Sequence, residues 1–312
     1  RSSDLNMVAG FIKDLSEKTG FPNGKICVIP GFVNPGDMRE MKRIMKIMNV
    51  PFTMLPDTSG VFDAPMTGKF ELFPKGGTLV DDIIELGDSE LTIAIGKFAS
   101  EEPANVLENI HKVPQKLLTM PIGVCSTDDF IMELAKFTKG EVPYELEEER
   151  GQLVDIMVDS HPYYSGKTVA INGDPDFVIA MTKFVLELGM IPKYVITGTP
   201  GKAFESAVNK LFEDFNVEGC ICKAESDLFE LHQLIKNEKV DLLIGGTHSK
   251  YIARAEDIPF VRAGFPILDR YVHSYMPLVG YKGAMRLMEL ILSALMDRLD
   301  RDAADEDFEL VL

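Results

Sequence analysis

The sequence predicts an α/β chain with two parallel-sheet domains, and three observations carry that prediction. Short apolar runs of strand length alternate with amphipathic runs of helical length along most of the 312 residues. Clusters of Gly, Pro, Asn and Asp punctuate the boundaries between them. The clearest unit is a strand, a turn and a helix: 167–171 reads as a buried strand, Asn172-Gly173-Asp174-Pro175 as a turn, and 176–188 as a helix. Asp174 is placed to cap the free N–H groups of that helix, Pro175 suits its first position, and Gly189 supplies a left-handed stop. Connections this long imply parallel pairing, because a tight turn joins only antiparallel neighbours.

Each element follows in order. Residues 4–18 form an amphipathic helix through Leu5, Val8, Ala9, Phe11, Ile12 and Leu15, and Phe21-Pro22-Asn23-Gly24 turns the chain into a strand at 25–29. A helix at 36–48 repeats Met38, Met41, Ile44, Met45 and Met48 at three and four residues, a stripe that reads as core filling. Its polar side carries Arg39, Glu40, Lys42, Arg43 and Lys46. A strand at 52–55 precedes a stretch, 56–74, whose Gly and Pro spacing breaks every period; a loop that long in a compact domain signals function or an interface. A short helix to Leu86, a strand at 91–95, a helix at 102–111 and a strand at 117–121 come next. Thr127-Asp128-Asp129 reads as the cap of a helix to Phe137, ended by Lys139-Gly140.

A helical run at 147–159 then leads into the strand-turn-helix unit. Leu153, Val154, Met157 and Val158 share one face of that run, Asp155 and Asp159 another, and Ser160-His161-Pro162 stops it. Strands at 193–196, 219–223 and 240–245 alternate with helices at 202–215 and 227–236, and a final amphipathic helix spans 282–299. The expectation is two Rossmann-like domains, 1–150 with an N-terminal helix and 151–312 with a C-terminal helix and tail, joined by the helix that bears the two aspartates. The tail, 300–312, is acidic and then apolar, as suits a terminus docked on a partner.

Composition narrows the function. A net charge of −17 argues against nucleic acid and anionic membrane as partners, and no run is long and apolar enough to span a bilayer. Four cysteines in a chain of this length make no disulfide scaffold, which fits a reducing cytoplasm. The chain opens at Arg1 with no initiator methionine and no secretion leader, as a processed chain or a piece of something longer would.

Several constellations bear on chemistry. Glycine-rich turns follow three strands, at Asn172-Gly173-Asp174-Pro175, Thr197-Gly198-Thr199-Pro200-Gly201 and Gly245-Gly246-Thr247-His248-Ser249-Lys250, where open α/β sheets bind ligands. The chain lacks both G-x-G-x-x-G and G-x-x-x-x-G-K-[ST], so tight turns between buried strands are the competing reading. Cys220 and Cys222 would share a strand face and suit a metal or cluster, or be ordinary buried thiols like Cys27 and Cys125. The five histidines form no i, i+4 pair, and no G-x-S-x-G turn supports a serine triad. Asp155 and Asp159, one helical turn apart, can share a hard divalent cation through oxygen ligands, with Glu148 or Glu149 or another subunit completing the shell. A solvated acidic face is the alternative.

Four segments go further. Glu149-Arg150-Gly151-Gln152-Leu153-Val154-Asp155, Gly173-Asp174-Pro175-Asp176-Phe177, Gly264-Phe265-Pro266-Ile267-Leu268-Asp269-Arg270 and Gly280-Tyr281-Lys282-Gly283-Ala284-Met285 stand in an order that closely resembles the family of nitrogenase molybdenum-iron protein β chains. Val28-Ile29-Pro30-Gly31-Phe32, Pro121-Ile122-Gly123 and Thr127-Asp128 extend the likeness over essentially the whole chain.

The resemblance implies an oxidoreductase that reduces dinitrogen to ammonia, built as two α and two β subunits. An iron protein hydrolyses ATP and passes electrons through a P-cluster at the α–β interface to an iron-molybdenum cofactor in the α subunit. It also implies that the β cysteines holding the P-cluster lie upstream of Arg1, and that none of Cys27, Cys125, Cys220 and Cys222 matches them. This chain would then be the scaffold and subunit interface of the two C-terminal domains, not active alone. The family's divalent cation between two β subunits carries over to Asp155 and Asp159 as metal ligands. Three other readings stay open: a cofactor-assembly scaffold of the same superfamily, a vanadium or iron-only nitrogenase β chain, and a small-ligand binding module.

Overall fold

The computed structural model describes residues 2–72 and 75–304. The chain falls into two compact units, one of residues 1–151 with 271–283, the other of residues 152–270 with 284–312. Each is built around one parallel sheet, as the alternation of strand and helix requires.

In the first unit, β1 (Ile26–Ile29), β2 (Phe52–Met54), β3 (Leu91–Ile95) and β4 (Gln115–Leu118) lie in the order β2-β1-β3-β4. Every pairing is parallel, with Ile26 opposite both Phe52 and Leu91, and Thr92 opposite Gln115. The run Ile26-Cys27-Val28-Ile29 is buried throughout, because helices cover both faces of a parallel sheet. Those helices are α1 (Ser2–Leu15), α2 (Pro35–Ile47), α3 (Val80–Ile84), α4 (Lys97–His111) and α5 (Gly123–Ala135), followed by α6 (Tyr144–Tyr164). One core cluster packs Val8 and Ile12 of α1 and Ala104 and Leu107 of α4 against Cys27, Ile29 and Ala94. Removing a fully buried side chain of this size from water contributes ~1.5–3 kcal/mol.

In α2 the capping box is formed by Asn34 and Asp37, with Pro35 at the start. Its methionine stripe is core, since Met38, Met41, Met45 and Met48 are all buried. Its polar side differs from expectation at Glu40, which is also buried. The stretch after β2 has no strand among the described residues before α3; Phe73 and Pro74 lie outside them. Its base is pinned to α2, because Lys42 donates to Asp57 at 2.6 Å and Arg39 pairs with Asp63. Phe62, Met66, Phe70 and Leu72 beyond that base are exposed.

Two helix starts fall earlier than the sequence suggests. Helix α4 begins at Lys97 after Gly96, whose φ of 82° is the left-handed turn that launches it, and it contains Pro103. Helix α5 begins at Gly123, so Thr127 is no cap: its hydroxyl donates back to the Gly123 carbonyl at 2.6 Å, one turn down the helix. The edge strand β4 sits two residues before its expected start.

In the second unit, β5 (Thr168–Gly173), β6 (Ile191–Thr197), β7 (Ile221–Lys223), β8 (Leu242–Gly245) and β9 (Phe260–Arg262) lie in the order β7-β6-β5-β8-β9, all parallel. Helices α7 (Pro175–Glu187), α8 (Lys202–Asp214), α9 (Leu228–Asn237), α10 (Lys250–Glu256) and α11 (Gly280–Asp302) follow in chain order. Asp174 caps α7 by accepting from the Asp176 N–H at 3.1 Å, with Pro175 in the first turn. Strand β9 and helix α10, each short, carry too few residues to show a period and were not read from the sequence. The tail residues 305–312 lie outside the described residues.

Helix α6 runs past the expected stop at Ser160-His161-Pro162 to Tyr164. Its last turn is held by the buried Tyr164, whose hydroxyl donates to the Met157 carbonyl, and by Ser160 Oγ donating to Ile156 O at 2.5 Å. Val158, expected on the apolar face, is exposed while Leu153 is fully buried.

Candidate functional site

Asp155 and Asp159 both lie within α6 and are exposed. Residues at i and i+4 of a helix have Cβ atoms roughly 5–6 Å apart, within span of one ion. The exposed Val158 stands beside them on the same helix. Two carboxylates supply two of the six to eight oxygens that a hard cation such as calcium takes. Among the described residues no group of three or more His, Cys, Asp and Glu side chains converges as a metal site.

Glu149 does not complete such a shell. It is buried, and its carboxylate accepts from Arg43 at 2.9 and 2.6 Å and pairs with Lys282 at 3.0 Å. Arg43 also donates to Glu40 at 2.9 and 2.7 Å, so one guanidinium satisfies two buried carboxylates. Its pKa is raised further above an already high value, first by the bond to Glu40 and then by that to Glu149. Glu148 is exposed, but seven residues from Asp155 means a rise of roughly 10 Å along the helix.

A second junction lies beside the first. Asp128 of α5 receives the Arg150 fork at 3.0 Å and the Tyr281 hydroxyl at 2.5 Å. Burial, and then the bond to Asp128, hold the Tyr281 phenol well above its ordinary range. None of this was read from spacing, because the partners are far apart in sequence: Tyr281 and Asp128 are separated by 153 residues. The signal that was available is that Glu149, Arg150, Tyr281 and Lys282 all sit in segments that carry the family likeness.

At the carboxyl ends of the second sheet, the glycine-rich turns are filled by the protein itself. Ser249 Oγ donates to Asn172 Oδ1 at 2.8 Å, and a Cβ on Gly245 would stand 2.2 Å from that same oxygen. The loop 264–270 folds over this end: Thr247 N–H donates to Pro266 O at 3.0 Å, and Leu268 N–H donates to Thr247 Oγ1 at 2.7 Å. Asp269 locks it, accepting from Arg262 at 3.1 Å and Thr247 at 3.0 Å. The Arg262 guanidinium, the leading cause, holds the Asp269 carboxyl well below the usual carboxylate range. At these two turns glycine serves close packing. The turn Gly198–Gly201 is the exception, with no atom within 4 Å of a Cβ placed on Gly201.

The four cysteines are free thiols: Cys27 is buried in β1, Cys125 is exposed in α5, and Cys220 and Cys222 are half-buried at the edge strand β7. Burial pushes Cys27 up to about 12, and burial followed by the nearby Glu205 pushes Cys222 up to about 12. His232 donates to or accepts from Glu256 at 2.7 Å, and His111 meets Ser16 Oγ at 2.8 Å; both are contacts between neighbouring elements rather than parts of a triad.

Comparison with known proteins adds what the geometry alone does not. The family model described as nitrogenase component 1 type oxidoreductase matches residues 4–296. The chain is 54% identical over 306 residues to the nitrogenase molybdenum-iron protein beta chain of Clostridium pasteurianum, covering 98% of this chain and 67% of that one. To the corresponding chain of Frankia alni it is 40% identical, covering 92% of this chain and 54% of that one. The solved structure titled nitrogenase Cp1 at pH 6.5 superposes with a TM-score of 0.97 at 54% identity, over 99% of this chain and 67% of that chain. A second chain, titled nitrogenase Cp1 at pH 5, shares the fold at 14% identity with a TM-score of 0.66, over 96% of this chain and 62% of that one. The chain thus spans between about half and two thirds of the relatives it matches. With its two parallel sheets and a family match from residue 4 to residue 296, the chain belongs to the nitrogenase component 1 type oxidoreductases, as a relative of molybdenum-iron protein β chains.

Proposed function

We propose that these residues are the C-terminal two domains, split near residue 150, of a nitrogenase molybdenum-iron protein β subunit. In that reading the chain is scaffold and subunit interface, and it serves dinitrogen reduction only inside the whole complex. The observation that supports this best is 54% identity over 306 residues together with a TM-score of 0.97. The partners are an α subunit, a second β subunit and an iron protein that delivers electrons with ATP hydrolysis, in the cytoplasm. Among the described residues no helix is long and apolar enough to cross a membrane.

A P-cluster supplies an electron relay where it is bound, and the thiols of this chain do not fit one. Cluster ligation needs thiolates, and Cys27 lies in an apolar core while burial keeps Cys220 and Cys222 protonated. No electron-transfer step is therefore assigned to these residues. The Asp155 and Asp159 pair does suit a divalent cation at the interface between β subunits, with the remaining oxygens coming from elsewhere. The residues of this chain present two carboxylates there and exclude Glu149, which Arg43 and Lys282 already hold.

The test is assembly. Joined behind the upstream part of a relative's β chain and co-expressed with the α subunit, the 312 residues are expected to form the heterotetramer and yield ammonia with iron protein, ATP and a reductant. A chain that folds but neither binds the α subunit nor restores ammonia formation overturns the reading.

A further inference from the structure

The second unit carries a cationic and apolar face that the functions above do not use. It is formed by α10 and the loop that Asp269 locks onto it. Lys250 lies 3.4 Å from Asp269 and over the Tyr251 ring at 5.5 Å. Arg254 follows one turn later, exposed and in no ion pair among the described residues. On the loop, Phe265 and Leu268 are exposed, and Arg270 continues from Asp269 with its own side chain in solvent.

Two features set this face apart. The first is charge: Lys250, Arg254, Arg262 and Arg270 surround a single carboxylate, Asp269, in a chain whose net charge is −17. The second is rigidity. Leu268 is exposed, yet its backbone N–H is fixed on Thr247 Oγ1 at 2.7 Å, and Arg262 holds the next residue through both nitrogen-to-oxygen contacts at 3.1 Å. Apolar side chains held in place before binding lose little freedom on contact, which is what favours their use as anchors.

We propose that this face is a docking surface for a short acidic segment of another protein chain, with carboxylates set on Arg254 and Arg270 and apolar side chains set against Tyr251 and Leu268. A long polyanion such as nucleic acid fits less well. It would be repelled by the rest of a strongly acidic chain, whereas a short segment experiences mainly the local field, screened beyond ~8–10 Å at ordinary salt. The exposed Tyr251, Phe265 and Leu268 also give an apolar component that phosphate backbones do not use. The inference stands on this geometry and does not depend on the nitrogenase reading.

The test uses the 312-residue chain and a fluorescein-labelled twelve-residue peptide of alternating Glu with Leu and Phe, followed by anisotropy at low salt. Binding is expected, weakened at least about tenfold by Arg254→Glu with Arg270→Glu, and weakened by raised salt, as charge pairing requires. Leu268→Asp is expected to weaken it as well. Arg254→Glu alone, which breaks no contact described above, serves if the double variant fails to fold by circular dichroism. Unchanged binding in a folded Arg254→Glu variant overturns the proposal. So does equal binding of a matched lysine peptide, or tighter binding of a single-stranded oligonucleotide that is insensitive to Leu268→Asp.

Discussion

Arg43 donates to Glu149 at 2.6 and 2.9 Å while the same guanidinium donates to Glu40 at 2.7 and 2.9 Å. Both carboxylates are buried, so the arginine is their main source of compensation, with Lys282 a second partner for Glu149 only. Replacing Arg43 by Met is expected to cost ~3–5 kcal/mol, because each orphaned carboxylate keeps its desolvation penalty. A urea midpoint shifted down at unchanged slope would show it. A change under about 0.5 kcal/mol, within the usual range of surface substitutions, would mean that the pairs contribute nothing net.

Gly283 stands in the first turn of α11, where a Cβ would lie 2.3 Å from the Leu278 carbonyl carbon and 2.7 Å from its oxygen. Backbone cannot move aside as a side chain can. Gly283→Ala is therefore expected to destabilise by roughly 1–3 kcal/mol through overpacking, although alanine is the better helix former. Thermal unfolding would decide it, and a stabilised variant would count against the close approach.

Asp269 makes stability depend on acid. Its pKa in the folded state lies below the unfolded value, chiefly through Arg262, so its contribution is fully present above about pH 4 and is lost as pH falls toward the folded value. Asp269→Asn should thus be less stable than the parent at pH 7, and the two should converge as pH is lowered below about 4. Parallel stability profiles for the two proteins would exclude the effect.

Asp155 and Asp159 predict opposite signs with and without metal. Like charges at i and i+4 destabilise a helix by ~0.2–0.5 kcal/mol, so Asp159→Asn should slightly raise the melting temperature of the metal-free chain. In the assembled complex the same change should abolish the response to calcium, read by titration calorimetry. An undiminished calcium response would remove Asp159 from the site.

Thiol chemistry should follow burial. Iodoacetamide at pH 8 is expected to modify Cys125 first, Cys220 and Cys222 more slowly, and Cys27 only on unfolding, since thiolate formation at Cys27 is pushed up to about 12. Peptide mapping by mass spectrometry gives the order. Early labelling of Cys27 in the folded protein would contradict its place in the core.

Much of the architecture was legible because it is local. The strand 91–95, the Asp174 cap and the methionine stripe of α2 each depend on residues within a few positions of one another. What failed depended on distance or on short elements. Thr127 resembles a cap, yet α5 starts four residues earlier, because Gly123 with φ of 83° makes the turn that a cap would otherwise mark. Pro162 reads as a stop, but the buried Tyr164 draws the last turn of α6 onward. Glu40 and Glu149 look like surface charges until Arg43, 106 residues from Glu149, is placed against both. The paired aspartates were found by spacing, and their exposure within α6 is compatible with that reading.

The strand order of the second sheet has a bearing on how the chain reaches its fold. Central β5 has β6 on one side, reached through α7, but its other neighbour is β8, whose Leu242 pairs with Val169 after β6 and β7 have intervened. Asp241, whose carboxylate bonds the Thr168 N–H and hydroxyl at the foot of that pair, lies 73 residues downstream. On a ribosome, β5 and β6 can associate early, while one edge of β5 stays open until the chain has grown to β8. That edge is a row of unpaired N–H and C=O groups in the most apolar part of the unit, Val169-Ala170-Ile171, and closing the long loop must precede the contacts that reward it. The interval between β6 and β8 is then when the nascent chain is most exposed to mispairing, and slower synthesis across residues 198–241 would lengthen it.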